Sequence, residues 1–189
     1  LTDLKDKGSR VWLDENDFTV LSTKSDAAGR LGWGAVVGPD LIFSKWTAEE
    51  AADTDMTYKE LVPVLYIVEN YGPKLEDTIL RVGLDNAAAV FDVLKFDSKT
   101  YKVRQILKRI ARAQAEWNFR ILATHVTRGA NELADLLTRF IRLEELDDAL
   151  PDDWQVDADG ALLQRSQWRL TTASNSVLRL SATRRSTPA

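Results

Sequence analysis

The chain contains no cysteine, one histidine and one methionine in 189 residues. Without cysteine there is no disulfide, no thiolate-held zinc or iron–sulfur cluster and no thiol nucleophile. With His125 as the single imidazole, sites built from several histidines are excluded as well. Any bound metal must then be held by oxygen, which selects hard cations such as Mg2+ or Mn2+. Long apolar runs are also missing. None approaches the roughly 18–20 residues of a membrane helix, so no membrane partner is expected. No signal-peptide pattern is read at the start, and an intracellular location, cytoplasm or nucleus, is expected. Neither charge dominates: 25 Lys and Arg stand against 29 Asp and Glu, a net charge of -4. That excludes a uniformly basic protein but leaves room for local basic patches. The chain begins at Leu1 and its methionine is Met56, which reads as a piece of a longer polypeptide.

What is present has a clear order. Residues 1–17 are polar and read as a connecting segment. Three β-rich runs follow, at 18–26, 32–37 and 41–46, with Gly38-Pro39-Asp40 as a hairpin signal. They predict an antiparallel meander. A loop rich in Asp and Thr comes next. Then Thr57 with Glu60 fits a capping box before an apolar face of Leu61, Val64, Leu65 and Val68. Pro63 is an awkward residue inside that helix, and Tyr71-Gly72-Pro73 stops it. Thr78 to Asp85 is a strand with almost no polar interior, as expected for a central strand covered on both faces. A short Ala-rich helix spans 86–94. A long one spans 99–117, with Val103, Ile106, Leu107, Ile110 and Trp117 on one face. Asn118 to His125 predicts a strand, and Gly129 to Ile141 a helix. The order βββαβααβα implies a mixed sheet with helices on its faces, an α/β domain over residues 18–141. Residues 144–159 hold eight acids and no base; residues 160–189 hold five arginines and no acid. We read 142–189 as a linker or tail, with Trp154 and Trp168 as the residues best suited to dock.

Four acids stand where the structure is predicted to change: Asp26 at a strand end, Glu60 early in a helix, Asp85 closing the apolar strand, and Asp135 in the last helix. Adjacent strands of a mixed sheet can present their ends at one crevice. Four carboxylates brought together repel unless cations sit among them. Two divalent ions about 3.5–4 Å apart would relieve the repulsion and support an in-line phosphoryl displacement. The bland alternative is that these acids, like most of the 29, are solvated surface.

The residues Ser25-Asp-Ala-Ala-Gly-Arg-Leu-Gly-Trp-Gly-Ala-Val36, Thr57-Tyr-Lys-Glu60-Leu61 with Trp46 upstream, Gly83-Leu-Asp85-Asn86, and His125 through Asp135 to Arg139 resemble, in order, the four motifs of the ribonuclease H domains of reverse-transcribing elements. The likeness covers about residues 18–140 and is nearest to tyrosine-recombinase (DIRS-like) retrotransposons. It implies a ribonuclease H-like fold: a five-stranded mixed sheet, three strands antiparallel and then two parallel. It also implies an endonuclease that cuts the RNA strand of RNA–DNA hybrids with two Mg2+ ions, Mn2+ being a substitute, and an upstream reverse transcriptase domain in a parent polyprotein. By the same resemblance Asp26 would bridge both ions. Glu60 and Asp85 would complete one site, and Asp135 would hold the ion that activates water.

Some relatives carry a mobile histidine before the last helix. Aligned on Gly129 and Asn131, His125 falls on the strand and is read as structural. The basic handle of some relatives has no counterpart here. Residues 99–120 carry seven bases against Glu116 alone, so Lys102, Lys108, Arg109 and Arg112 are candidates for phosphate contacts. Asn86 is a candidate for a 2′-hydroxyl contact or, alternatively, a helix cap. Trp33 and Trp46 are expected in the core. Glu132 is a decoy acid one turn before Asp135. Two other readings stay open: a catalytically silent scaffold or tether of the same fold, and a DNA-acting resolvase or transposase.

Overall fold

A computed structural model of the chain describes residues 19–139, 168–174 and 177–182. β1 (Thr19–Ala27), β2 (Gly32–Val37) and β3 (Asp40–Lys45) form the expected meander. Gly38 enters the β2–β3 turn with φ of 54°, a conformation that glycine adopts without steric cost. β4 (Thr78–Leu84) lies parallel to β1 on its other side, and β5 (Arg120–His125) lies parallel to β4. The order β5-β4-β1-β2-β3, three strands antiparallel and two parallel, is the five-stranded mixed sheet expected.

Six α-helices are described: α1 (Ala48–Ala52), α2 (Met56–Asn70), α3 (Gly72–Leu75), α4 (Ala87–Lys95), α5 (Tyr101–Trp117) and α6 (Glu132–Leu137). Trp33, Ala35 and Val37 of β2 alternate onto one face of the sheet. There they share a core with Leu80, Val82 and Leu84 of β4, Leu61, Val64 and Val68 of α2, and Val103, Ile106, Leu107 and Ile110 of α5. Each buried Val, Leu and Ile side chain among these contributes roughly 1.5–3 kcal/mol by leaving water, which is what fixes α2 and α5 on that face. Trp33 and Trp46 are both buried, as expected.

Two helix starts differ from the sequence reading. α2 begins at Met56, and Asp55 caps it by accepting from the Tyr58 N–H at 3.0 Å. The Thr57–Glu60 box does not form, because Glu60 is turned inward and buried. The capping box present is Thr47 with Glu50, and it opens α1 where a loop was expected. Pro63 sits inside α2 and cannot donate to the Lys59 carbonyl, yet the helix continues because its apolar face is held in the core. The last helix is shorter than expected: a 3-10 turn (Arg128–Asn131) leads into α6.

The tail reading also changes. β6 (Trp168–Ser174) and β7 (Val177–Ala182) form an antiparallel hairpin, and β7 adds to β3 with Leu41 opposite Leu180 and Phe43 opposite Leu178. The sheet therefore has seven strands, in the order β5-β4-β1-β2-β3-β7-β6, and β3 is not an edge. Residues 1–17 and Trp154 lie outside the described residues.

Candidate active site

The parallel register of β1 and β4 pairs Lys24 with Gly83. Two residues further along each chain are Asp26 and Asp85, so the pleat brings both to the same side of the sheet at the carboxyl ends of adjacent strands. α2, packed against β1, delivers Glu60 to them. Each of these three residues offers a carboxylate oxygen, and the three oxygens lie within 4.8 Å of one another. Asp26 and Glu60 are 7% and 3% exposed, and Asp85 is half-buried.

The electrostatics follow from this crowding. Burial raises the Asp26 carboxyl to about 6, helped by the charges of Asp85 and then Asp135 and opposed by a hydrogen bond with the Ala27 backbone. Burial raises Glu60 further, to about 9, with the charges of Asp26 and Asp85 adding to it and an Ala27 backbone bond again opposing. Glu60 Oε2 is buried with no hydrogen-bond partner among the described residues. A buried carboxylate oxygen without a donor is costly. Three acids around an unsatisfied oxygen fit a hard divalent cation, which would supply the missing positive charge.

Asp135 arrives from the opposite layer. Gly34 pairs with Asp26 across β1 and β2. A Cβ on Gly34 would stand 2.4 Å from Leu137 Cβ and 2.8 Å from the Ala134 carbonyl. Only glycine lets α6 rest this closely on the sheet. Asn131, buried just before α6, donates from Nδ2 to the Ser25 carbonyl at 3.0 Å and so ties the helix start to the residue before Asp26. Asp135 is thus close enough to influence Asp26, but it is not one of the three converging acids. Its Oδ2 accepts from Arg139 Nη2 at 2.6 Å. Glu132, the decoy, is exposed at the first position of α6.

The remaining candidates are placed as follows. Asn86 caps α4, its Oδ1 accepting from the Ala89 N–H at 3.1 Å. Lys102 is paired with Asp53. Arg109 grips Glu69 with two bonds of 2.8 and 2.7 Å. These two bases of α5 are committed to ion pairs with residues flanking and on α2, while Lys108 and Arg112 are exposed. His125 ends β5, with Nε2 3.1 Å from the Asp85 carbonyl oxygen. Sequence reading overlooked Gly34 and Asn131 as the residues that seat α6. The available signal was an Asn in a helix-entry motif and a glycine inside a strand.

No protein-family model matches the chain, and no curated protein matches it. Among solved structures it is similar to a ribonuclease H1 of the archaeon Halobacterium salinarum, at 18% identity and a TM-score of 0.45, over 69% of this chain and 100% of the other. It is also similar to the N-terminal ribonuclease H domain of a Mycobacterium tuberculosis protein, at 16% identity and a TM-score of 0.44, over 63% and 95% of the two chains. A third similar structure is a foamy viral protease-reverse transcriptase in complex with an RNA/DNA hybrid. It is 15% identical with a TM-score of 0.46, and the likeness covers 66% of this chain and 20% of that one.

Proposed function

We propose that the chain is a Mg2+-dependent ribonuclease H that hydrolyses the RNA strand of RNA–DNA hybrids, working in a retroelement polyprotein beside a reverse transcriptase domain. The observation that carries this reading is the convergence of Asp26, Glu60 and Asp85 around an unpartnered, buried Glu60 oxygen. Asp26 lies between Glu60 and Asp135 in charge influence and is the natural shared ligand. Glu60 and Asp85 would complete one site with it, and Asp135 would serve the other. When bound, a pair of divalent ions supplies charge neutralisation at the phosphate and a water of lowered pKa. The protein's own work is to hold the oxygens in place before substrate arrives. The β1–β4 register fixes the two aspartates, α2 fixes Glu60, and Gly34 with Asn131 fixes the approach of α6. Because burial holds the Asp26 and Glu60 carboxyls above the ordinary range, a cation bound there would displace protons. Hybrid recognition rests on groove shape and 2′-hydroxyl contacts rather than base edges.

The test is cleavage of end-labelled RNA–DNA hybrid, duplex DNA and duplex RNA with Mg2+, by the native chain and Asp85→Asn. The reading expects cutting of the hybrid's RNA strand alone, lost in the variant with its circular dichroism unchanged. Cutting of DNA would favour the resolvase or transposase reading. No cutting of any substrate by a folded, cation-loaded native chain would favour the silent scaffold.

A further inference from the structure

Lys59 is the residue before Glu60 on α2, and it is 0% exposed. Among the described residues no carboxylate lies within ion-pair distance of it, although its charge reaches Asp53. Its Nζ instead donates to the carbonyl of Gly29 and, at 3.3 Å, to that of Ala51, and it lies 5.6 Å from the centre of the Trp46 ring. A fully buried lysine is expensive unless its charge and donors are satisfied, so this cage of two carbonyls and a ring face calls for an explanation.

The explanation lies in what the carbonyls belong to. Gly29 is in the turn that follows Asp26 and Ala27, and Ala51 is in α1. Trp46 fastens the same turn twice: its Nε1 donates to the Ala28 carbonyl at 2.6 Å and its backbone N–H to the Leu31 carbonyl at 3.1 Å. The turn itself is exposed at Gly29, Arg30 and Leu31. The turn that Lys59 holds from behind follows directly on Asp26 and Ala27, so the lysine and the metal-site acids bear on one stretch of backbone. α2 thus points successive side chains to two ends of one strap: Glu60 to the acid cluster and Lys59 to the turn beyond it.

We propose that Lys59 is a positioning residue that ties the turn of residues 28–31 to α2, and thereby pre-sets the Asp26–Glu60 pair for a divalent cation. The inference rests on the reading of the three acids as a metal site. Lys59→Met keeps the aliphatic stem and removes the nitrogen. Two readouts test it without substrate: Mn2+ affinity by titration calorimetry, and amide hydrogen exchange of residues 27–31 in the metal-free chain. The expected result is a five- to fiftyfold weaker affinity together with at least tenfold faster exchange at residues 27–31, while exchange in β4 is unchanged. Native-like affinity in folded Lys59→Met would overturn the proposal and leave the metal site standing. No Mn2+ binding by the native chain would overturn both. Should Lys59→Met fail to fold, the native chain still decides. The Lys59 ammonium resonance in a nitrogen-15 NMR titration must shift with Mg2+ in step with the Ala27 amide, and an ammonium signal unmoved at saturation refutes the proposal.

Discussion

The two sides of the acidic cluster are built differently. Asp26, Glu60 and Asp85 stand on a central strand, a core-packed helix and the end of a second central strand, so the whole hydrophobic core defines their spacing. Asp135 stands on a helix of six residues, seated by a glycine contact and one buried asparagine, and its carboxylate is occupied by Arg139. A ligand set fixed by the core costs little to organise when a cation binds. A ligand that must first leave an ion pair costs more. The difference predicts two unequal cation sites, a tight one at the three acids and a weaker one that includes Asp135.

The largest expected effect is loss of the tight site. Asp26→Asn or Asp85→Asn removes several kcal/mol of charge stabilisation, which lowers hybrid cleavage by about a thousandfold or more in a gel assay. Activity within tenfold of native would break the comparison at its stronger side. Asp135→Asn comes second, with roughly 10- to 100-fold slower cleavage, partly rescued by raising Mg2+, and tight Mn2+ binding retained. A variant that lost all cation binding would show that the two sides are one site.

Third is the response of the metal-free fold to pH. Raised carboxyl pKa values mean that the folded chain holds these protons more strongly than the unfolded chain does. Their stabilising contribution is complete below the ordinary carboxyl range, near 3.8 for Asp26 and 4.5 for Glu60. It is lost as pH rises through about 6 for Asp26 and about 9 for Glu60. The Tm in chelator should therefore fall between pH 5 and 9. Glu60→Gln should flatten the upper part of that fall, and Mg2+ should counter it. A Tm that rose across this range would contradict the burial of these groups. The smallest effect belongs to Arg139→Gln. It frees Asp135 from a partly exposed ion pair worth about 0.2–1 kcal/mol, so half-saturating Mg2+ for cleavage should fall by no more than about fivefold. A rise would mean that Arg139 orients Asp135 rather than competing for it.

Much of this was legible in the residues. β-rich runs separated by turn signals located the five strands, and Asp85 was conspicuous because it closes a run with almost no other polar residue. What pattern could not show was competition for a side chain. Thr57 and Glu60 have capping-box spacing, but the core claims Glu60 and Asp55 takes the cap. Lys102 and Arg109 read as candidates for phosphate contacts on a basic helix, and pattern does not show that Asp53 and Glu69, 49 and 40 residues away, pair with them. The β6–β7 hairpin is hard to read in the sequence because its arginines and threonines break strict alternation. Its signal was two β-forming runs, Leu170-Thr-Thr172 and Val177-Leu178, flanking Asn175-Ser176. Long-range pairing of that kind is decided by the β3 edge it covers, which local sequence does not reveal.

The proposed function stands on three acids, distant in the chain, forming one pre-set cation site. Titration of Mn2+ into the metal-free native chain and into Asp85→Asn, followed by calorimetry at neutral pH, tests it most directly. The native chain should show a tight binding event with proton release, absent from Asp85→Asn. Equal affinity in the two proteins would contradict it.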